Sequence, residues 1–341
     1  MAKVCGFNNW FCLVCNCNTL EIHGWLRLPA FIFYIHHMKI ATICCLWASL
    51  LMLACAGPAN EAPASKSGTV KMKDAEIYYE SHGKGEPLLL LHAGFLNTGM
   101  WKSQVDELSK HYQVITIDLP AHGKTINRNP ALYPSYFIST LLDSLQLNKV
   151  SIGGVSLGSV CAMDFVLARP DRVNKAIIVS GGIIGWEKYN APDSMVMGFR
   201  NSFYDSLERK DTAGAAELFT KFWFDGPFRT PQQVNDSARR YIYESTLSNI
   251  KKHALTGYPR FQDTVAIDHL ASIKVPVLLI DGDKDVPHIL RATDYMQKTI
   301  PGARRVTIPG TGHMLNMEDP AAFNKAVLDF LNDKTSATIK K

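Results

Sequence analysis

Residues 149–160 read KVSIGGVSLGSV, and this stretch decides the fold. Its first part, Lys149–Val155, is rich in β-branched residues and ends in glycines, which predicts a buried strand. The segment Ser159–Ala168 is apolar and lacks glycine and proline, which predicts a helix. Between them lies the pattern G-x-S-x-G at 154–158. In a strand–turn–helix context this pattern predicts a sharp turn that exposes the Ser156 hydroxyl, with glycines because strand and helix leave no room for a Cβ.

Ser156 is therefore a candidate nucleophile, and it needs a base to remove its proton. Of the eleven histidines, we select His313, which ends the glycine-rich segment PGTGH between the last predicted strand and the last predicted helix. We expect His92 and His122, in strand-end turns, to brace loops instead. The N–H of Leu157 lies at the start of the predicted helix, where it is available to a developing oxyanion.

The base in turn needs a carboxylate that fixes its tautomer and stabilises the imidazolium. Three aspartates follow the predicted strand Val275–Ile280, in the sequence DGDKD at 281–285. We select Asp285 as this acid and keep Asp283 as the alternative. For Asp281 and Asp283 the competing interpretation is a solvated turn.

The chain from residue 69 to residue 335 alternates between strand-like and helix-like segments. Strands separated by helices predict an α/β fold, with a mostly parallel sheet covered by helices on both faces. The predicted strands are Thr69–Lys73, Glu76–Ser81, Pro87–Leu91, Gln113–Asp118, Lys149–Val155, Lys175–Ser180, Val275–Ile280 and Arg304–Ile308. The predicted helices are Trp101–Lys110, Pro134–Leu145, Ser159–Ala168, Leu290–Ile300 and Ala321–Leu331.

Residues 183–262 interrupt this alternation and predict a helical cap inserted between two strands. The insertion carries nine candidate pocket aromatics, each of which has core packing within the cap as its competing interpretation. They are Trp186, Phe199, Phe203, Tyr204, Phe219, Phe222, Trp223, Phe224 and Phe228. An aromatic-rich cap over Ser156 suits a small or medium hydrophobic substrate. Arg200, Arg239 and Arg240 either pair with a substrate carboxylate or lie on a solvated face.

The segment 38–56, MKIATICCLWASLLMLACA, has the layout of a secretory signal peptide. LMLAC at 51–55 resembles a bacterial lipobox, in which Cys55 becomes lipidated; ordinary cleavage after Ala56 and an uncleaved membrane anchor are the alternatives. We interpret 1–37 as an upstream extension ahead of a start at Met38, and 57–68 as a linker. This organisation predicts an exported protein, periplasmic or anchored to a membrane as a lipoprotein, in a bacterium.

Composition narrows the classes of function. With 36 basic and 31 acidic residues, the net charge of +5 offers no dense basic surface, so we expect no nucleic-acid partner. Seven of the eight cysteines lie within the first 55 residues, which leaves Cys161 alone in the body as a buried small hydrophobe. The early cysteines lack a second ligand pair at zinc spacing, and we predict neither a metal nor an organic cofactor. The oligomeric state does not follow from the sequence.

Five motifs occur in the order typical of one family: HAGF at 92–95, DLPAHG at 118–123, GVSLG at 154–158, GDKD at 282–285 and GH at 312–313. On these the chain resembles the serine α/β-hydrolases, especially the bacterial esterase and lactonase branch with a helical cap. The resemblance implies the chain order Ser, Asp, His for the catalytic residues. It also implies that Gly94 supplies the second oxyanion N–H. The serine at the turn separates the chain from the similar haloalkane dehalogenases.

The leading hypothesis is a serine hydrolase that acts on a carboxylic ester through an acyl-enzyme. Lactonase, carbon–carbon bond hydrolase and cofactor-free haloperoxidase activities are alternatives on the same residues. Two further hypotheses assign the chain to other classes of protein: a ligand sensor with little turnover, or a structural surface lipoprotein. The natural substrate is beyond the sequence.

Overall fold

A computed structural model describes residues 65–127, 132–253, 259–261 and 265–333. The predictions for the segments 1–37 and 38–56, including Cys55, lie outside these residues. Within the described ranges, no helix has both the length and the apolar character needed to cross a membrane.

The centre of the fold is a single nine-stranded sheet. Strands β1 to β4 and β6 to β9 follow the spatial order β1-β2-β4-β3-β6-β7-β8-β9, and the short β5 pairs with β2. The pairs β1–β2, β2–β4 and β2–β5 are antiparallel, and the others are parallel. The strands are β1 Ser65–Lys71, β2 Ala75–His82, β3 Pro87–Leu91, β4 Gln113–Ile117, β5 Ile126–Asn127, β6 Val150–Val155, β7 Val173–Val179, β8 Val277–Gly282 and β9 Arg304–Ile308.

Nine α-helices connect or follow these strands in the described residues. They are α1 Lys102–Leu108, α2 Pro134–Ser144, α3 Leu157–Ala168, α4 Ser194–Glu208, α5 Thr212–Thr220, α6 Asp236–His253, α7 Pro287–Thr299, α8 Leu315–Glu318 and α9 Pro320–Asn332. Residues of α2, α3 and α7 belong to one hydrophobic core, while residues of α1 and α9 belong to a second. Because β3, β6 and β8 are buried almost throughout, their apolar side chains supply both cores. The predicted α/β architecture is confirmed.

The edge of the sheet begins earlier than expected. Strand β1 starts at Ser65, where its backbone pairs with His82, so the predicted linker 57–68 is wrong for its last four residues. Ser65–Gly68 are polar and small because they lie on an edge strand, with side chains exposed or half-buried. The composition of Ser65–Gly68 does not distinguish an edge strand from a linker, because the segment is ordered only by its pairing with β2.

The insertion after β7 forms a helical cap, as predicted. It contains α4, α5, a π-helical turn Lys221–Asp225 and α6. Phe203, Phe219 and Phe224 are buried in the second core, which makes them packing residues of the cap, whereas Tyr204 and Phe228 are exposed. Cys161 is fully buried in α3, in agreement with its predicted role as a small hydrophobe, and burial raises the pKa of its thiol well above the usual value.

Candidate active site

Ser156 occupies a strained turn between β6 and α3. Its φ of 53° and ψ of −115° lie outside the regions that side-chain-bearing residues normally adopt. The Ser156 N–H donates to the Val179 carbonyl at 2.9 Å, which ties the turn to the neighbouring strand β7. Such strain persists only where the surrounding structure imposes it, and it clusters at functional sites.

Two glycines make this turn possible. A Cβ placed on Gly154 would lie 2.6 Å from the Ser159 backbone nitrogen. A Cβ on Gly158 would lie 2.7 Å from the His92 carbonyl oxygen and 2.6 Å from the Leu91 carbonyl carbon. These neighbours are backbone atoms that cannot rotate away. The predicted reason for G-x-S-x-G in this chain is therefore confirmed.

The two residues expected to donate to an oxyanion are neighbours. Leu157 is the first residue of α3, so its N–H has no acceptor within the helix. Gly94 follows β3, and a Cβ built on it would lie 3.9 Å from Leu157 Cβ. This is an ordinary van der Waals distance, and it shows that Gly94 lies next to the start of α3.

His313 and Asp285 form a buried pair. The His313 Nδ1 lies 2.9 Å from Asp285 Oδ1 and 3.1 Å from Oδ2, and both side chains are almost fully buried. Because a carboxylate only accepts, the His313 proton is on Nδ1 and Nε2 is the acceptor. The buried Nε2 has no hydrogen-bond partner among the described residues. Asp285 is also fixed by the Val286 N–H at 2.6 Å.

The other two aspartates of the 281–285 segment have structural contacts. Asp283 accepts from the Gly310 N–H at 2.6 Å and pairs with Lys284, so it shapes the loop that carries His313. Asp281 is fully buried, where it pairs with Arg305 and accepts from the Thr307 hydroxyl at 2.7 Å. The solvated-turn interpretation is therefore wrong for Asp281. Its partners come from β9, and the sequence around Asp281 does not reveal that pairing.

His92 and His122 brace loops, as predicted. The His92 Nδ1 lies 2.7 Å from the Ala93 carbonyl, and its Nε2 accepts from the Leu119 N–H at 2.9 Å. His122 Nδ1 lies 2.9 Å from the Pro120 carbonyl. Burial lowers the pKa of His92 to about 4 and, together with the neighbouring His92, holds the pKa of His122 well below its usual value. Both rings are therefore neutral near pH 7.

One aromatic side chain of the cap contacts His313. The Trp223 ring lies 4.5 Å from the His313 ring, and Phe222 stacks on Phe199 at 4.5 Å between centroids. Trp223 thus lies beside His313, whereas Trp101 is fully buried in the second core, where it packs against Phe323.

Two of the three cap arginines considered as partners for a substrate carboxylate pair with acidic side chains of the protein instead. Arg239 pairs with Asp225 at 2.9 Å and with Glu217, both within the cap, and Arg240 pairs with Asp236 on an exposed face. Arg200 is exposed. The solvated-face interpretation fits Arg200 and Arg240, but Arg239 is a largely buried structural residue.

A polar stripe on α6, formed by Tyr241, Ser245 and Asn249, docks the cap on two loops of the sheet edge. The Ser245 hydroxyl donates to the Phe95 carbonyl at 3.2 Å, and the Tyr241 hydroxyl donates to Asn97 at 2.8 Å. Asn249 contacts the loop after β4. This stripe was not predicted from the sequence, where its only signal is polar residues at four-residue spacing on one helix face.

No cluster of three or more histidine, cysteine or acidic side chains that would suit a metal ion occurs in the part of the chain that the structure describes.

Comparisons with known proteins agree with this fold. The model of a family described as alpha/beta hydrolase fold matches residues 86–320. The pimeloyl-[acyl-carrier protein] methyl ester esterase of Nitrosomonas europaea is 27% identical over 260 residues, covering 73% of this chain and 97% of that protein. The 2-hydroxy-6-oxo-6-phenylhexa-2,4-dienoate hydrolase of Burkholderia cepacia is 25% identical, covering 80% and 98%. The crystal structure of the Bacillus subtilis carboxylesterase CesB superposes with a TM-score of 0.64 at 22% identity, covering 79% and 92%.

The glycine clearances predict opposite outcomes for two alanine substitutions. Gly158→Ala should lower the free energy of unfolding by about 2 kcal/mol, because overlap with fixed backbone outweighs the roughly 1 kcal/mol that alanine gains in a helix. Gly94→Ala should change it by less than about 1 kcal/mol, since the new Cβ meets only an ordinary contact. Urea unfolding followed by circular dichroism measures both. Equal destabilisation by the two substitutions would contradict the packing argument.

The buried His92 predicts acid sensitivity. In the unfolded chain a histidine titrates near its usual value of roughly 6.5, whereas the folded pKa of His92 is about 4. Between these values the unfolded state binds a proton that the folded state does not, so stability is lost as the pH falls. The loss from His92 alone is about 3 kcal/mol.

Urea unfolding at pH 7, 6 and 5 should therefore show a shallower pH dependence for His92→Asn than for the wild type. His111→Asn, which replaces an exposed histidine, should keep the wild-type slope. A His92→Asn slope equal to that of the wild type would refute the assignment.

Proposed function

The chain belongs to the α/β-hydrolase family, and on that premise we propose that it cleaves a carboxylic ester of a small or medium hydrophobic substrate through an acyl-enzyme. The observation that carries this proposal is the buried pair of His313 and Asp285, whose Nε2 has no partner among the described residues. The strained Ser156 turn follows β6, and the loops of Asp285 and His313 follow β8 and β9 of the same parallel part of the sheet. Ser156 is the nucleophile, His313 the base and Asp285 the orienting acid.

In acylation, the Ser156 Oγ attacks the ester carbonyl while His313 Nε2 takes the hydroxyl proton. Asp285 stabilises the resulting imidazolium and stays ionised. The N–H groups of Leu157 and Gly94 hold the oxyanion, which needs fixed donors because its charge develops away from bulk water. The imidazolium then donates its proton to the departing alkoxide, which leaves as the alcohol.

Deacylation repeats these steps with water as the nucleophile. His313 Nε2 takes a proton from water, and the hydroxide attacks the acyl carbon. The tetrahedral intermediate collapses when the proton returns to Ser156 Oγ, releasing the carboxylic acid. No atom of this scheme requires a metal or an organic cofactor.

The surroundings of His313 support an uncharged, hydrophobic substrate. The Trp223 ring lies 4.5 Å from the His313 ring, which gives the site an apolar surface beside the base. The cap arginines with defined partners, Arg229, Arg239 and Arg240, pair with acidic side chains of the protein itself. The esterase among the relatives supports an ester, and the dienoate hydrolase keeps carbon–carbon bond cleavage as a second candidate.

A fluorophosphonate probe and p-nitrophenyl esters of short and medium acids test this proposal on the purified protein. Wild type should be labelled and should turn over at least one ester, whereas Ser156→Ala should lose labelling and at least about 10⁴-fold in kcat.

Ser180→Ala is the matched control for this experiment. Ser180 follows the adjacent strand β7 and has a similar positive φ of 46°. Its buried hydroxyl has no partner among the described residues. It should retain labelling and turnover. A folded wild type that neither reacts with the probe nor hydrolyses any ester would overturn the proposal and favour a ligand sensor.

We also propose that the protein is exported and that Cys55 carries a lipid; the signal-like segment 38–56 and its LMLAC ending support this. Expression in a bacterium with labelled palmitate should give a labelled mature protein, and Cys55→Ser should abolish that label. N-terminal sequencing of the mature chain separates the alternatives. A mature protein that begins at Gly57 without lipid would instead indicate ordinary signal cleavage.

A further inference from the structure

Arg229 and Glu318 form a buried ion pair between the cap and the segment that follows His313. Arg229 lies just after the π-helical turn, and Glu318 ends α8, five residues beyond the base. Each side chain is only 7% exposed. Nη1 of Arg229 contacts Glu318 Oε2, and Nη2 lies 3.2 Å from Oε1, so the pairing is bidentate.

The pair also holds the loop that carries the base. Glu318 Oε1 accepts from the Gly312 N–H at 2.8 Å, and Nη1 of Arg229 donates to the Gly310 carbonyl at 3.2 Å. A Cβ on Gly312 would overlap the Arg229 guanidinium. The backbone on the N-terminal side of His313 is therefore hydrogen-bonded to both members of one ion pair.

The same guanidinium holds the turn that carries Trp223. Its Nε donates to the Asp225 carbonyl at 2.9 Å, and Nη2 donates to the Phe224 carbonyl at 2.6 Å. With two contacts to Glu318 and one to Gly310, all five N–H donors of Arg229 have acceptors. One side chain thus connects the aromatic wall of the site to the loop of the base.

Stability alone does not account for this arrangement. Removing two charges from water costs about as much as their attraction returns, and an apolar pair of similar size is often as stable or more so. The contacts of an apolar pair are not directional, so such a pair would not fix the orientation of its neighbours. A planar guanidinium with five satisfied donors fixes both the position and the orientation of the groups it binds.

We infer that the Arg229–Glu318 pair is a positioning element that sets His313 and Trp223 against Ser156, so that seating of the cap and alignment of the base are coupled. This inference rests on the proposed function of Ser156, His313 and Asp285. Misplacing a reacting group by about 1 Å costs on the order of 10²-fold in rate. Loss of the contacts made by the Arg229–Glu318 pair should lower the catalytic rate by a similar factor.

The test compares four variants of the full chain with the wild type, using p-nitrophenyl acetate as the substrate. Glu318→Ala removes the carboxylate and should lower kcat about 10²-fold with little change in KM. Glu318→Gln retains an acceptor for Gly312 and should recover most of this loss. Arg229→Lys keeps the positive charge but loses the planar guanidinium with its five donors, and we expect it to lower kcat about 10-fold or more.

Asp281→Asn is the matched control, because the Asp281–Arg305 pair is comparably buried but contacts β9 instead of the base loop. It should destabilise the fold in urea unfolding without changing kcat. The readout that a merely structural role would not move is the downfield NMR resonance of the His313 Nδ1 proton, identified by its loss in Asp285→Asn. We expect it to broaden or shift in Glu318→Ala and Arg229→Lys, and to stay unchanged in Asp281→Asn.

The outcomes distinguish this inference from the proposed function. If the wild type is active and a folded Glu318→Ala or Arg229→Lys retains wild-type kcat and an unchanged His313 resonance, the positioning inference is overturned and the function stands. If the wild type is inactive, the function fails, while the NMR comparison still decides whether the pair positions His313. Should Glu318→Ala not fold, Arg229→Lys gives the same decision.

Discussion

The close approach of strand β6 to helix α3 at the Ser156 turn is the constraint on which the rest of the site depends. Backbone atoms of β3 and α3 occupy the space that Cβ atoms of Gly154 and Gly158 would fill. Because the helix starts so close to the strand, its first N–H groups and the serine hydroxyl lie together at the carboxyl edge of the sheet. Gly94, at the end of the neighbouring β3, is brought within reach by the same packing.

Parallel pairing brings the remaining residues to this edge. Strands β6, β7, β8 and β9 are adjacent and parallel, so the loops after them emerge side by side. The loop after β8 carries Asp285 and the loop after β9 carries His313. They can meet because Gly282 allows the backbone of the second loop to pass close by: a Cβ there would lie 2.6 Å from the Gly312 carbonyl oxygen. A residue with a side chain at 282 would separate acid from base.

The sequence allowed prediction of those parts of the site that depend on local patterns. The turn at Ser156, the loop of His313 and the aspartates after β8 each follow a strand with a clear apolar run, and most strand bounds were predicted within a few residues. The pairing of Glu318 with Arg229 was not predictable, because 89 residues separate them and polar side chains in a cap have many equivalent interpretations. Ser65–Gly68 and Asp281 were misjudged for the same physical reason: their order comes from a partner strand, not from their own composition.

The cap is attached to the sheet domain by polar contacts as well as by apolar packing. Aromatic side chains of the cap are buried in the second core, yet apolar surfaces alone tolerate small sliding movements, since their attraction is not directional. The polar contacts remove that freedom at two places. The stripe on α6 binds the loop that contains Phe95, whose φ of 63° is unfavourable without support, and Arg229 binds the loop of His313. The loops that carry Gly94 and His313 are thus held from the cap side as well as from the sheet. A cap that merely covered a pocket would need neither contact, so the position of the cap is linked to the positions of these two loops.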